Sequence, residues 1–154
     1  MKKLVSLVLV LVILFITACG NGGEYYLTYN GKNIKLDTAY NVETHGQYNN
    51  LFESANCAFG DRDVTYIYDD IEVETYGNGK NELIIYSIRF TTDKVKTNEK
   101  IGINDNIEDA IKAYGNDYTK TDNKYTYKHG KTSLIFITSN DIIESIEYEL
   151  NNIN

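Results

Sequence analysis

The sequence predicts an α+β protein of two tandem units, each with one helix packed on an antiparallel meander of three or four strands. Three observations support this class. Short runs alternate apolar and polar residues, as half-buried strands do. One run in the second half has helical spacing instead. The two halves of the 154-residue chain then repeat the same order of elements.

The first unit is expected over residues 24–92. Residues 25–29 and 32–36 alternate on either side of Asn30-Gly31, a pair typical of a type I′ hairpin turn. A short helix is expected within residues 42–52, where Tyr48, Leu51 and Phe52 have helical spacing. Three strands should follow, over residues 64–68, 71–76 and 82–91.

The second unit is expected over residues 93–154. Asp105 and Glu108 have the spacing of a capping box, and Gly115 can end the helix that they begin. The apolar face of this helix is Ile107, Ala110, Ile111 and Tyr114. Three strands should follow over residues 124–128, 132–138 and 141–150.

Local similarity between the halves indicates a duplication. Residues 65–68 match residues 124–127 at an offset of 59, and residues 87–90 match residues 145–148 at an offset of 58. In the last strand of each unit, Ser87 and Arg89, or Ser145 and Glu147, should point away from the core towards water. Units of about 60 residues bury little core alone, so we expect the two to pack together or share a sheet.

The N-terminus predicts export and lipid anchoring. Lys2 and Lys3 precede an apolar stretch over residues 4–16, which is too short to span a bilayer and is typical of a signal peptide. Residues 16–19, Ile-Thr-Ala-Cys, resemble the lipobox of bacterial lipoproteins. This resemblance implies a signal peptide over residues 1–18, diacylglycerol on Cys19 and a Gly-rich tether over residues 19–23. The alternative is an ordinary secreted protein in which Cys19 is coincidental.

The net charge of the chain limits the kinds of partner that it can bind. Removing residues 1–18 takes away Lys2 and Lys3 and no acid, which leaves 13 basic and 22 acidic residues, a net charge of −9. Such a chain lacks the basic surface that nucleic acids require, so we expect no nucleic-acid partner. Membrane attachment should come through the lipid alone, on the outer face of the cytoplasmic membrane. The bias towards Asn, Ile, Lys and Tyr suggests a Gram-positive source.

Known catalytic and metal-binding motifs are absent from the sequence. We therefore predict no catalytic residues, no metal and no cofactor beyond the acyl group. A weak calcium site at Asp61, Asp63, Asp69 and Asp70 is the alternative to a solvated turn. Cys57 is expected to be a buried thiol, with a reactive nucleophile or an intermolecular disulfide as alternatives.

Tyrosine is strongly enriched, with 14 copies. Tyrosine suits recognition surfaces because it combines a large ring with a polar hydroxyl, although it also packs well in sheets. The candidate binding residues, on alternating strand positions, are Tyr66, Tyr68, Tyr76, Tyr125 and Tyr127.

Several segments resemble a family of small, uncharacterised cell-surface lipoproteins of clostridia and their relatives. They are residues 56–59 (Asn-Cys-Ala-Phe), 66–68, 72–76, 99–103, 113–115, 125–127, 134–136 and 145–148. In element order, the chain is also similar to the β-lactamase-inhibitor-protein-like fold and to small outer-membrane-assembly lipoproteins. This similarity implies binding of other proteins, but no contact residue carries over.

We therefore expect a lipid-anchored, non-enzymatic module that binds a protein or a cell-wall component through a water-facing sheet surface. Two alternatives stay open. One is an accessory lipoprotein that binds a small solute, which a deep apolar pocket between the halves would favour. The other is a surface hydrolase or thiol enzyme that uses Cys57 or an acidic pair.

Overall fold

The structure, a computed structural model, describes residues 24–56 and 61–153. The expected signal peptide over residues 1–18, the lipidation site Cys19 and the thiol Cys57 lie outside these ranges. Among the described residues, no helix has both the length and the apolar character needed to cross a membrane.

The described chain contains ten strands and two helices. The strands are β1 (Tyr26–Tyr29), β2 (Lys32–Lys35), β3 (Asn50–Asn56), β4 (Asp61–Ile67), β5 (Ile71–Gly77), β6 (Leu83–Phe90), β7 (Thr119–Thr121), β8 (Lys124–His129), β9 (Thr132–Ser139) and β10 (Ile142–Leu150). The helices are α1 (Val42–His45) and α2 (Ile107–Tyr114).

The predicted α+β class with two helix-plus-meander units is wrong. The described residues form mostly antiparallel β-sheet, with 52% of them in strands and 10% in helices. The first helix has only four residues because Gly46, at a φ of +98°, ends it immediately. Leu51 and Phe52, assigned to that helix from their spacing, lie in β3 instead. There Leu51 is half-buried and Phe52 points to water, which is the alternation of a strand.

Local signals elsewhere predicted the elements well. Asn30 and Gly31 have positive φ angles, and the hairpin β1–β2 closes on the pair Tyr29 and Lys32, as a two-residue turn requires. The second helix covers the expected residues but begins differently. Its N-cap is Asn106, whose side chain accepts a hydrogen bond from the backbone N–H of Glu108. Asp105, the expected cap, instead accepts from the backbone N–H of Gly102 at 2.8 Å.

Eight strands form one sheet in the order β3-β4-β5-β6-β10-β9-β8-β7. Each half of the chain therefore contributes four consecutive strands, and the halves meet where β6 pairs antiparallel with β10. The strand β7 was not predicted, because its three exposed residues contain no apolar side chain. At the junction Arg89 lies opposite Glu147, a pair separated by the same offset of 58 that relates the halves in sequence. A duplication stays a prediction, and this register is the one that it would produce.

One face of the sheet, here called the covered face, packs against the hairpin and the helices. Tyr29 of β1 contacts Tyr68, the residue that follows β4, with ring centroids 5.8 Å apart, and Tyr114 of α2 contacts Phe136 of β9 at the same distance. Buried residues on both sides complete one core, among them Leu27, Ile34, Leu36, Ile88, Ala110, Leu134 and Ile146. Burial of these side chains is the main source of stability, at roughly 1.5–3 kcal/mol for each large one.

Candidate functional site

The opposite face of the sheet, here called the open face, carries several charged side chains that keep part of their surface in water, although Ser87, Ser133 and Ile135 on the same face are buried. Strand β5 shows the alternation, since Ile71 and Val73 are buried while Glu72 and Glu74 are half-exposed. The same alternation continues across the junction of the halves. The central patch of the open face consists of Glu72, Glu74, Ser87, Arg89, Glu147 and Glu149.

Backbone register arranges the central patch in two rows across β5, β6 and β10. One row is Glu72, Arg89 and Glu147, and the other is Glu74, Ser87 and Glu149. Residues directly opposite in an antiparallel pair have Cβ atoms about 5 Å apart, so neighbours in each row can contact one another. The two rows therefore form a compact polar surface at the middle of the sheet.

Arg89 is the cation at the centre of this patch. Its guanidinium donates to the carboxylate of Glu72 and lies 3.7 Å from the nearest carboxylate oxygen of Glu74. The hydrogen bond to Glu72 is the largest cause of a raised Arg89 pKa. On its other side, Ser87 Oγ donates to Glu147 Oε1 at 2.7 Å. Four carboxylates and one guanidinium leave the patch with negative charge.

Partial burial also sets the electrostatics of the patch. Burial raises the pKa of Glu149, and Glu147 adds to the rise, while Lys124 and Lys128 on β8 oppose it. Burial likewise raises the pKa of Tyr86, with Glu74 as the next cause. Carboxylates that are half removed from water interact with an approaching cation more strongly than fully exposed ones do.

The open face also has features outside the central patch. A depression of about 430 Å³ extends from Glu149 of the patch towards β7 and β8, and its lining includes Thr126, Lys128 and Ser133. At the other edge, Phe52 of β3 is 65% exposed, the largest value among the large apolar side chains of the described residues. Polar, charged and apolar groups are therefore spread across the full width of the sheet.

The five candidate tyrosines are at most 9% exposed, and four of them do not lie on a water-facing surface as we expected. Tyr66, Tyr68, Tyr125 and Tyr127 lie on the covered face and are 2–8% exposed. Their rings fill the core beneath the hairpin and the helices. The hydroxyl of Tyr127, for instance, donates to the carbonyl of Gly115 at 3.1 Å. Tyr68 and Tyr127 thus bury large rings while their hydroxyls keep hydrogen-bond partners.

Tyr76 differs from the other four because it lies on the open face. It is 9% exposed and borders a depression of about 300 Å³ between the two halves of the chain. Lys131 crosses this region to pair with Asp37 at 3.0 Å. The depression is lined mainly by polar residues, whereas the solute-binding alternative requires a deep apolar pocket.

Sequence alternation did indicate the residues that the structure brings together. Of the residues expected to face water, Arg89 is exposed and Glu147 is half-exposed, whereas Ser87 lies on the same face but is only 1% exposed, so that expectation was wrong for Ser87. Glu72 and Glu74 carry the same signal, because they alternate with the apolar residues of β5. The sequence did not indicate that β6 and β10 are neighbours, and that pairing unites the six residues in one patch.

The candidate calcium site included Asp69 and Asp70 in the turn between β4 and β5. Within residues 24–56 and 61–153, no three His, Cys, Asp or Glu side chains are placed to hold a metal ion. The carboxylates of Asp69 and Asp70 instead accept hydrogen bonds from Asn49 and Thr92, both at 2.6 Å. These bonds fix the turn between β4 and β5.

Comparison with known proteins adds no relative. No family model, no curated protein and no solved structure matches the chain.

Proposed function

We propose that this protein is a lipid-anchored, extracytoplasmic binding module, with the central patch of the open face as its contact surface for a protein or cell-wall component. The observation that carries the proposal is the asymmetry of the sheet. One face is packed against the hairpin and the helices, while at the middle of the other face β5 and β10 present four half-exposed glutamates, Glu72, Glu74, Glu147 and Glu149.

Charge indicates which partners fit. The central patch combines four carboxylates with one guanidinium, and its centre is already partly removed from water. Complementary charge speeds encounter and excludes surfaces of the wrong sign. The matching surface on a protein or cell-wall component is therefore positively charged, with Lys, Arg or amino groups placed to meet Glu147 and Glu149.

The location follows from the N-terminal sequence. An apolar stretch ending in Ile-Thr-Ala-Cys supports a thioether-linked lipid on Cys19, and the Gly-rich residues after it support a short tether. A domain with excess negative charge is repelled by anionic lipid headgroups. The lipid would then hold the protein at the membrane while the open face stays accessible.

The anchor is tested by fractionating cells that produce the wild-type chain or Cys19→Ser. We expect the wild-type protein in the membrane fraction and the variant in the soluble fraction. Membrane fractionation that is unchanged by the substitution would refute anchoring through Cys19.

The contact surface is tested by affinity capture from solubilised envelopes with two full-length double variants. Glu147→Gln/Glu149→Gln removes two charges from the central patch. Glu108→Gln/Asp109→Asn removes two exposed charges from α2, which packs on the covered face. We expect the first variant to lose about tenfold of the partner captured by wild type, while the second keeps it. Equal losses from both would show that overall charge, and not this surface, drives the capture.

A further inference from the structure

The two outer strands of the eight-stranded sheet differ in how well they are protected against pairing with another chain. Strand β7 has three residues and carries Lys120, and a short edge bearing a lysine is a common protection. Strand β3 has seven residues, Asn50–Asn56, and pairs with β4 in unbroken register. Its sequence, NLFESAN, contains no Lys, Arg or Pro. This edge is therefore long and regular, with Glu53 as its one charged residue and with one backbone N–H, that of Leu51, bonded to the side chain of Asn50.

An exposed aromatic ring lies on the same edge. Phe52 is 65% exposed and faces the open side of the sheet, opposite Thr65 of β4. A large apolar side chain on an unprotected edge strand is a feature of strands that pair with another chain. The neighbouring residue Glu53 forms an ion pair with Arg62 of β4 at 3.3 Å.

We propose that β3 pairs antiparallel with β3 of a second copy of this chain, which would join two eight-stranded sheets edge to edge. A second copy is the favoured occupant because an antiparallel edge is complementary to itself about a two-fold axis. Such an axis runs perpendicular to the sheet, so the open faces of both copies remain on the same side. The central patches then stay uncovered, and this interface is separate from the proposed function.

Charge and face restrict the register of this pairing. Residues opposite each other must point to the same face of the sheet. The two-fold axis therefore lies between one residue and the same residue of the second copy, and not between two different residues. An axis at Glu53 would place two carboxylates directly opposite each other, which is unfavourable. An axis at Phe52 places the two Phe52 rings opposite each other and Asn50 opposite Ser54 of the second copy. Paired aromatic rings stabilise antiparallel strands, so the structure favours the axis at Phe52.

The register can be tested by disulfide trapping in the full-length chain, extracted in mild detergent, in a Cys57→Ser background. Phe52→Cys places two thiols directly opposite, with Cβ atoms about 5 Å apart, within reach of a disulfide after small movement. Ser54→Cys is the matched control, because the two thiols would lie about 14 Å apart along the strands.

We expect mild oxidation to give a covalent dimer from Phe52→Cys at a yield at least fivefold above Ser54→Cys and above the Cys57→Ser background. Absence of that dimer, or equal yields from both positions, would overturn the proposal. Sedimentation gives a second readout without cross-links. Phe52→Lys should shift the protein to monomer, while Thr121→Lys on the opposite edge leaves the dimer intact. A monomeric wild-type protein at all concentrations tested would also overturn it.

Discussion

Arg89 of β6 lies directly opposite Glu147 of β10, at the junction between the two halves of the sheet. The two residues are also equivalent in the sequence comparison of the halves, with an offset of 58. A two-fold relation between the halves would therefore pass through this pair. Both side chains belong to the open face, so this pair also lies at the centre of the proposed contact surface.

Replacing Arg89 with Gln should destabilise the protein, because Glu72, Glu74 and Glu147 would then face one another without their central cation. We expect a loss of about 0.5–1 kcal/mol at low ionic strength, which is the upper part of the range for exposed ion pairs. The loss should shrink in 1 M salt, where the Debye length is about 3 Å. Urea unfolding at both salt concentrations measures it.

Arg62→Gln provides the control for this effect, since Arg62 and Glu53 form a more exposed pair at the edge of the sheet. We expect that substitution to cost less than Arg89→Gln. A cost for Arg89→Gln that equals the cost for Arg62→Gln, or that salt leaves unchanged, would contradict the role assigned to Arg89.

Glu149→Gln should stabilise the protein at neutral pH. Burial raises the pKa of Glu149 above its ordinary value of 4.5 in the folded state. As the pH rises above 4.5, the unfolded chain loses this proton first, so ionisation favours unfolding and wild-type stability falls. Below pH 4.5 the carboxyl is protonated in both states, and the advantage of Gln disappears.

Unfolding free energies measured between pH 4 and pH 8 test this expectation, with Glu144→Gln on the same strand as a control for the loss of one charge. The difference between Glu149→Gln and wild type should grow with pH and favour the variant. A variant less stable than wild type at pH 7 would show that the Glu149 carboxylate is favourable to the fold.

Two buried tyrosines should respond in opposite ways to loss of the hydroxyl. The Tyr148 hydroxyl is buried without a hydrogen-bond partner among the described residues, whereas Tyr127 donates to Gly115. Tyr148→Phe should therefore be neutral or stabilise the protein by up to about 1 kcal/mol, and Tyr127→Phe should cost about 0.5–1.5 kcal/mol. Thermal or urea unfolding of the two variants measures these changes in stability. A Tyr148→Phe variant that loses more stability than the Tyr127→Phe variant would contradict these contacts.

Short-range patterns predicted the fold where one physical signal dominated. The positive φ angles required at Asn30 and Gly31 located the first hairpin, and the apolar spacing from Ile107 to Tyr114 located α2. The signals conflicted over residues 42–52, where a few apolar residues fit either a helix or a strand. Gly46 ends the helix after only four residues, so the α+β class predicted from this segment was wrong.

Side-chain exposure was harder to predict for tyrosine than for glutamate. The alternation in β10 correctly turned Glu147 towards water, because a charged group is costly to bury. Tyrosine has no such preference, and Tyr66 and Tyr125 carry their rings into the core. Which strands lie next to each other at the junction depends on pairing between residues about 60 positions apart, such as Arg89 and Glu147. No local sequence pattern encodes that pairing.

The most direct test of the proposed function is photo-cross-linking in intact cells, with a benzophenone side chain placed at single positions of the full-length chain. Thr65 and Thr126 lie on the open face, on either side of the central patch, while Glu108 and Lys112 lie on α2. We expect higher-mass adducts from positions 65 and 126 and none from positions 108 and 112. Adducts from α2, with none from the open face, would contradict the account.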